Sequence, residues 1–237
     1  MTGSEAWVVA PAERPRVPVL GEDGFFPVHR VYCVGSNYRE HAREMGTSLR
    51  EPPFFFSKPA DAVCMADTVP YPNRTANLHH EVELVVALGS GGAGIDLENA
   101  LQHVYGYAVG VDLTRRDLQA EAKGQGRPWS TAKGFDHSAP VSPIRPVSAA
   151  GLHPGDAGMS LHVNGALRQR GNLGEMTWSV AEIIAGLSSY FELKAGDLIF
   201  TGTPSGVGQL QPGDRVECAI ETIGSLEFQM GLTDSAG

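Results

Sequence analysis

Residues 79–89 read HHEVELVVALG, in which Glu81 and Glu83, separated by a single residue, head a run that is apolar from Leu84 to Leu88. Alternation along an extended chain sends residues i and i+2 to the same face, so the two carboxylates stand side by side, about 6–7 Å apart at the backbone. The apolar run is the pattern of a strand covered on both faces. Two unpaired charges at the head of such a strand are costly to bury. A divalent cation held between them removes that cost; the alternative is a strand whose first residues hang in solvent.

Working outward, residues 1–27 are proline-rich with little periodicity and read as an N-terminal extension, and residues 28–237 read as one domain. VHRVYCVGSNY opens that domain as a strand ending at Gly35. NYREHAREMG reads as a short polar helix, with Asn37 as N-cap, Glu40 closing a capping box and Gly46 as the stop. PPFFFSKP is a strand pinched between prolines, DLENALQHV a short helix and VYGYAVGVDLT a second apolar strand. In MTWSVAEIIAGLSSYFEL, Met176, Val180, Ile183, Ile184, Leu187 and Phe191 recur at helical spacing. GDLIFTGTP, DRVECAIETIG and SLEFQM read as sheet. Strands outnumber helices, which gives an α+β class.

The 237 residues suffice for a full hydrophobic core. Eighteen Lys and Arg against 27 Asp and Glu give a formal charge of −9, which argues against nucleic acid or an anionic membrane as partner. Cys33, Cys64 and Cys218 are odd in number, widely spaced and set among apolar residues, as expected of reduced core cysteines. The N-terminus lacks a basic stretch followed by a long apolar one, so a cytoplasmic protein is expected.

Asp112 ends the second apolar strand and supplies a third carboxylate. Three carboxylates without a cysteine or histidine cluster make an all-oxygen site, suited to Mg²⁺, Mn²⁺ or Ca²⁺ rather than zinc. His79 and His80 are candidate donors behind it. His41 and Glu44 lie three apart on the short helix, within reach of each other, and a carboxylate that holds an imidazole makes a general base. Lys133, in STAKGFDHSAP, with Arg116 and Gln119, soon after Asp112, can clamp a carboxylate or a developing enolate. FTGTPSGVG is a strand followed by a loop with hydroxyl and N–H donors. GSGGAG at 89–94 satisfies a dinucleotide-binding pattern, but no helix begins within it, and Asp96 and Glu98 would meet the pyrophosphate; it reads as a loop.

GSNYREHAREMG, PPFFFSKPADAV, NLHHEVELVVALG, YGYAVGVDLTRRDLQ, WSTAKGFDHSAP and GDLIFTGTPSGVG stand in an order that resembles the fumarylacetoacetate hydrolase family, in particular its fumarylpyruvate hydrolases and acylpyruvases. The resemblance implies a mixed β-roll and a homodimer. It implies Glu81, Glu83 and Asp112 as ligands of Mg²⁺ or Mn²⁺, and His41 with Glu44 as a water-activating pair on a lid helix. It implies Lys133 beside the metal, and Arg116, Gln119 and Thr203 as substrate contacts. Ser36 departs from the basic residue that often precedes NY in such proteins. The implied substrate is a small anionic 2,4-dioxo acid, 3-fumarylpyruvate foremost, cleaved to fumarate and pyruvate in aromatic-acid breakdown. Arg39, Arg43 and Arg74 are candidates for its distal carboxylate. Acetylpyruvate hydrolysis, oxaloacetate decarboxylation and metal-dependent binding without turnover are the competing expectations.

Overall fold

The computed structural model describes residues 7–38, 52–151 and 153–232. Its centre is a six-stranded mixed sheet in the order Arg145–Pro146, Val104–Val111, Val82–Leu88, Leu198–Phe200, Val31–Gly35, Phe54–Lys58. All neighbours are antiparallel except Leu198–Phe200 and Val31–Gly35, which run parallel. A five-stranded sheet packs against it, in the order Ala166–Asn172, Gly158–Val163, Arg215–Ile220, Gly224–Met230, Thr68–Val69. The α+β class and mixed sheets agree with the expectation from sequence. No helix among the described residues is long and apolar enough to cross a membrane.

Every residue of the Val82–Leu88 strand is buried, as a strand covered on both faces must be. Its alternation feeds two cores. Val82, Leu84, Val86 and Leu88 face the larger one, with Ile183, Ile184 and Leu187 of the Val180–Tyr190 helix and Met159, Leu161 and Phe228 of the second sheet. Val85 and Ala87 face the smaller one, with Cys33, Ala108 and Phe200. The helix starts at Val180 rather than Met176 because Ser179 and Glu182 form a reciprocal capping box there.

Several elements differ from the sequence reading. Packed structure begins before residue 28: Arg16–Pro18 and Phe25–Pro27 pair antiparallel, and Val17 and Phe26 are buried in the smaller core. The prolines that obscured this ribbon sit at strand ends, where a missing N–H is tolerated. Asn37, whose expected capping partner Glu40 lies outside the described residues, is held by other segments. It is fully buried, donates to the carbonyls of Trp178 and Thr201 at 3.0 and 2.8 Å, and accepts from Trp178 N–H at 2.8 Å. The helix expected after it, with His41 and Glu44, lies outside the described residues. Arg116–Gly124 is a helix that the sequence hid, since it buries only Gln119 and Ala122 and shows no apolar stripe. The hairpin Gly158–Val163/Ala166–Asn172 was also missed. It turns on Asn164 and Gly165, both at positive φ, the Asn-Gly signature of a tight hairpin.

GSGGAG is a loop, as expected, with no regular helix until a four-residue 3₁₀ turn at Ala100–His103. Its glycines serve packing. A Cβ on Gly91 would lie 1.9 Å from the Leu193 carbonyl oxygen, and Gly94 N–H donates to Ser188 O at the end of the long helix.

Candidate metal and substrate site

The register of two central strands assembles the carboxylates. Val82 pairs with Val111 and Glu83 with Gly110. One step further, Asp112 N–H donates to the Glu81 carbonyl at 2.8 Å, which sets Asp112 directly across from Glu81. Glu83 follows two residues along on the same face, as alternation requires. Glu81 lies at a break in the chain's pairing: Leu78–His80 belongs to a small sheet with Thr114–Arg115 and Gly208–Leu210, and Val82–Leu88 to the central one. All three carboxylates are buried, and one oxygen from each lies within 4.8 Å of the others.

Cations from three other segments converge on two of them. Lys133 Nζ, at the end of the short helix Ser130–Lys133, donates to Glu81 Oε2 at 2.8 Å and to Asp112 Oδ2 at 2.6 Å. Burial works to lower the Lys133 pKa, yet the combined pull of Asp112 and Glu81 leaves it raised, so the side chain is an ammonium. Arg116 donates to Glu81 Oε1 and, at 2.5 Å, to Gln119 Oε1; the three-residue spacing on one helix brings these two together. Lys58 Nζ lies 2.8 Å from Asp112 Oδ1 but out of line for a hydrogen bond, so that oxygen is held by charge alone and keeps its lone pairs.

Glu83 is different. It accepts Gly202 N–H at 2.7 Å, and no ammonium or guanidinium among the described residues forms an ion pair with it. Burial, then repulsion from Asp112 and Glu81, pushes its carboxyl well above the usual range. A dication bound by the three carboxylates would relieve that repulsion, and an oxygen donor set suits Mg²⁺ or Mn²⁺. The residues therefore fit a metal of this kind.

Around the carboxylates lies a cleft lined also by Gly35, Ser36, Phe54, Phe56, Trp129 and Thr203. Phe54 and Phe56 meet the Trp129 ring edge-on at centroid distances of 5.3 and 5.8 Å, forming an aromatic wall. Ser36 takes the left-handed conformation, with φ of 56°. Thr203 enters from the loop after Leu198–Phe200, at whose start Gly202 (φ 99°) points its N–H at Glu83.

The structure thus brings Glu81, Glu83, Asp112, Lys133, Arg116, Gln119 and Thr203 to one cleft. Arg74 is exposed and does not line it, and Arg39 and Arg43 lie outside the described residues, as His41 and Glu44 do. His79 is an acceptor rather than the expected donor toward the site: its Nδ1 receives Arg116 Nε–H at 3.3 Å while Nε2 meets Asn77 Oδ1 at 2.9 Å. Burial, then the adjacent Arg116, lowers its pKa to about 4, which keeps it neutral for that task. Two residues escaped the sequence reading. Lys58 carried a signal in FFFSKP, because Phe54, Phe56 and Lys58 share one strand face. Gln169 carried none beyond its position on the missed hairpin.

A family model described as fumarylacetoacetate (FAA) hydrolase C-terminal matches residues 30–230. The crystal structure of fumarylpyruvate hydrolase from Pseudomonas aeruginosa in complex with Mn²⁺ and pyruvate is 50% identical, with a TM-score of 0.94, covering 96% of this chain and 100% of that one. Fumarylpyruvate hydrolase from a Ralstonia species is 42% identical over 189 residues, 80% of this chain and 97% of its own. Oxaloacetate tautomerase YcgM from Escherichia coli (strain K12) is 42% identical over 197 residues, 83% of this chain and 90% of its own.

Proposed function

The chain belongs to the fumarylacetoacetate hydrolase family, and from that premise we propose that it hydrolyses the carbon–carbon bond of an acylpyruvate, foremost 3-fumarylpyruvate, to fumarate and pyruvate. The observation that carries this reading is the buried set of Glu81, Glu83 and Asp112 beside Lys133, in a chain 50% identical to a fumarylpyruvate hydrolase crystallised with Mn²⁺ and pyruvate.

Glu81, Glu83 and Asp112 would hold the Mg²⁺ or Mn²⁺, which as a Lewis acid polarises the 2-oxo acid. The remaining steps fall to the chain. His41, oriented by Glu44, takes a proton from water, and the water oxygen bonds to the 4-oxo carbon. The bond between carbons 3 and 4 then breaks, its electron pair passing to the pyruvate enolate, which is reprotonated at carbon 3. Lys133, a preorganised buried ammonium, offsets the charge that develops on that enolate.

Charge supports an anionic substrate. Among the described residues the three carboxylates face Lys58, Lys133 and Arg116, so a bound dication would leave that set positive. Fumarylpyruvate carries two negative charges and acetylpyruvate one. Oxaloacetate also carries two, and with an oxaloacetate tautomerase among the relatives it is the second reading. A homodimer in the cytoplasm, acting in aromatic-acid breakdown, completes the proposal. The test incubates pure protein and Mg²⁺ or Mn²⁺ with fumarylpyruvate, acetylpyruvate and oxaloacetate. Fastest pyruvate release from fumarylpyruvate is expected; a higher kcat/KM on oxaloacetate, read as pyruvate release for decarboxylation or as a change in enol absorbance for tautomerisation, would favour the second reading.

A further inference from the structure

Gln169 is 1% exposed, on a strand whose neighbouring residues Arg168 and Arg170 are not buried with it in the same way: Leu167 and Arg168 are exposed and Gln169 alone turns inward. Its amide makes four hydrogen bonds. Oε1 accepts from Val82 N–H at 3.1 Å and meets His80 Nδ1 at 2.9 Å, while Nε2 donates to Pro204 O at 3.0 Å and Thr203 Oγ1 at 2.8 Å. The orientation is forced, because Val82 N–H can only donate and Pro204 O can only accept. His80 must then carry its proton on Nδ1.

The consequence lies at Thr203. Its hydroxyl already accepts from Gln169, and a hydroxyl has a single proton, which is left to point into the cleft that Thr203 lines. We infer that Gln169 is a positioning residue that fixes the Thr203 hydroxyl as a hydrogen-bond donor toward a substrate carboxylate. The backbone supports the arrangement. A Cβ on Gly206 would lie 2.3 Å from Arg168 O, and one on Gly171 2.6 Å from Pro204 Cβ, so the Thr203 loop seats directly on the Gln169 strand. The same amide therefore ties the loop to Val82, next to two of the metal-site glutamates. This inference rests on the acylpyruvate reading of the site and adds to it the polarity of one contact.

The test measures pyruvate affinity of the Mn²⁺-loaded protein by calorimetry, with Mn²⁺ affinity and thermal stability recorded for each variant. Gln169→Glu keeps the acceptors for Val82 and His80 but removes the donor, so the Thr203 proton turns inward and its lone pairs face the ligand. Gln169→Glu and Thr203→Val should each weaken pyruvate binding roughly tenfold with Mn²⁺ affinity retained. The double variant should be no weaker than either alone, because no hydroxyl remains to be oriented. A merely structural Gln169 would instead give multiplied losses, and that result, or wild-type affinity in Gln169→Glu, overturns the inference. Should Gln169→Glu not fold, Thr203→Ser must bind as wild type and Thr203→Val tenfold more weakly; equal binding by both overturns it. Wild-type protein that binds Mn²⁺ but no pyruvate would defeat the functional reading and this inference together, whereas failure of the variants alone defeats only the inference.

Discussion

Replacing Lys58 by Met should destabilise the metal-free protein and tighten its hold on metal. The Lys58 side chain is fully buried, and its Nζ lies 2.8 Å from Asp112 Oδ1. At that distance the attraction is about 6 kcal/mol for an effective dielectric of about 20, against a desolvation cost of several kcal/mol for the ammonium. Removing one member of a buried pair typically costs about 3–5 kcal/mol, because the remaining charge is left in a poor solvent. Asp112 keeps Lys133 at 2.6 Å, which places the expected loss at the lower end, about 3 kcal/mol.

Metal changes the sign. Lys58 competes with a dication for Asp112 and repels it, so Lys58→Met should bind Mn²⁺ more tightly, and each tenfold gain adds about 1.4 kcal/mol of stabilisation at a given excess of metal. Urea unfolding in chelator and in Mn²⁺ reads both terms, with affinity measured separately by paramagnetic resonance. The variant should be weaker than wild type in chelator and recover more on adding Mn²⁺. A loss in chelator below about 1 kcal/mol, or a weaker Mn²⁺ affinity, would refute the reasoning.

Asp112→Asn should weaken Mn²⁺ binding at least about tenfold, and chelation should abolish turnover; full activity in excess chelator with no metal bound would remove the metal from the mechanism. His41→Ala should lower kcat on fumarylpyruvate by roughly 10²–10⁴ while Mn²⁺ affinity stays near wild type, and unchanged hydrolysis would remove His41 and Glu44 from the mechanism. Gly206→Ala, which forces a Cβ at φ 91° and against Arg168 O, should cost about 1–3 kcal/mol in urea unfolding and raise the KM by shifting the Thr203 loop. Wild-type stability in that variant would show that the loop yields freely.

The carboxylate face was legible because its signal is local. Glu81 and Glu83 share a face by alternation within one strand, and Asp112 closes an apolar run of its own. Lys58 and Gln169 act across long separations: Lys58 reaches Asp112 only through the Val31–Lys58 pairing, and Gln169 reaches Val82 only because a second sheet folds over the first. Phe54 and Phe56 mark the strand face of Lys58 but not its partner, and a glutamine between arginines is ordinary on its own. The helix bearing Arg116 and Gln119 was hidden for a related reason. Its buried face is polar because it faces a polar cleft, so the apolar periodicity by which helices are found is missing.

The same alternation binds site and fold together. Glu83 shares its strand face with Val85 and Ala87, which are buried in the smaller core, while Val82 and Leu84 face the larger one. A slip of one residue against Val104–Val111 would send Val82 and Leu84 into the metal site and Glu83 into a hydrocarbon core, a large penalty at both ends. The register that packs the two cores is thus the only one that gathers the three carboxylates. The converse holds as well: a dication bound to Glu81, Glu83 and Asp112 would cross-link the two central strands at the point where the chain passes from one sheet to the other. Metal affinity and unfolding free energy should then be coupled through the register, and any substitution that loosens the Val82–Leu88 pairing should weaken the metal site without touching a ligand.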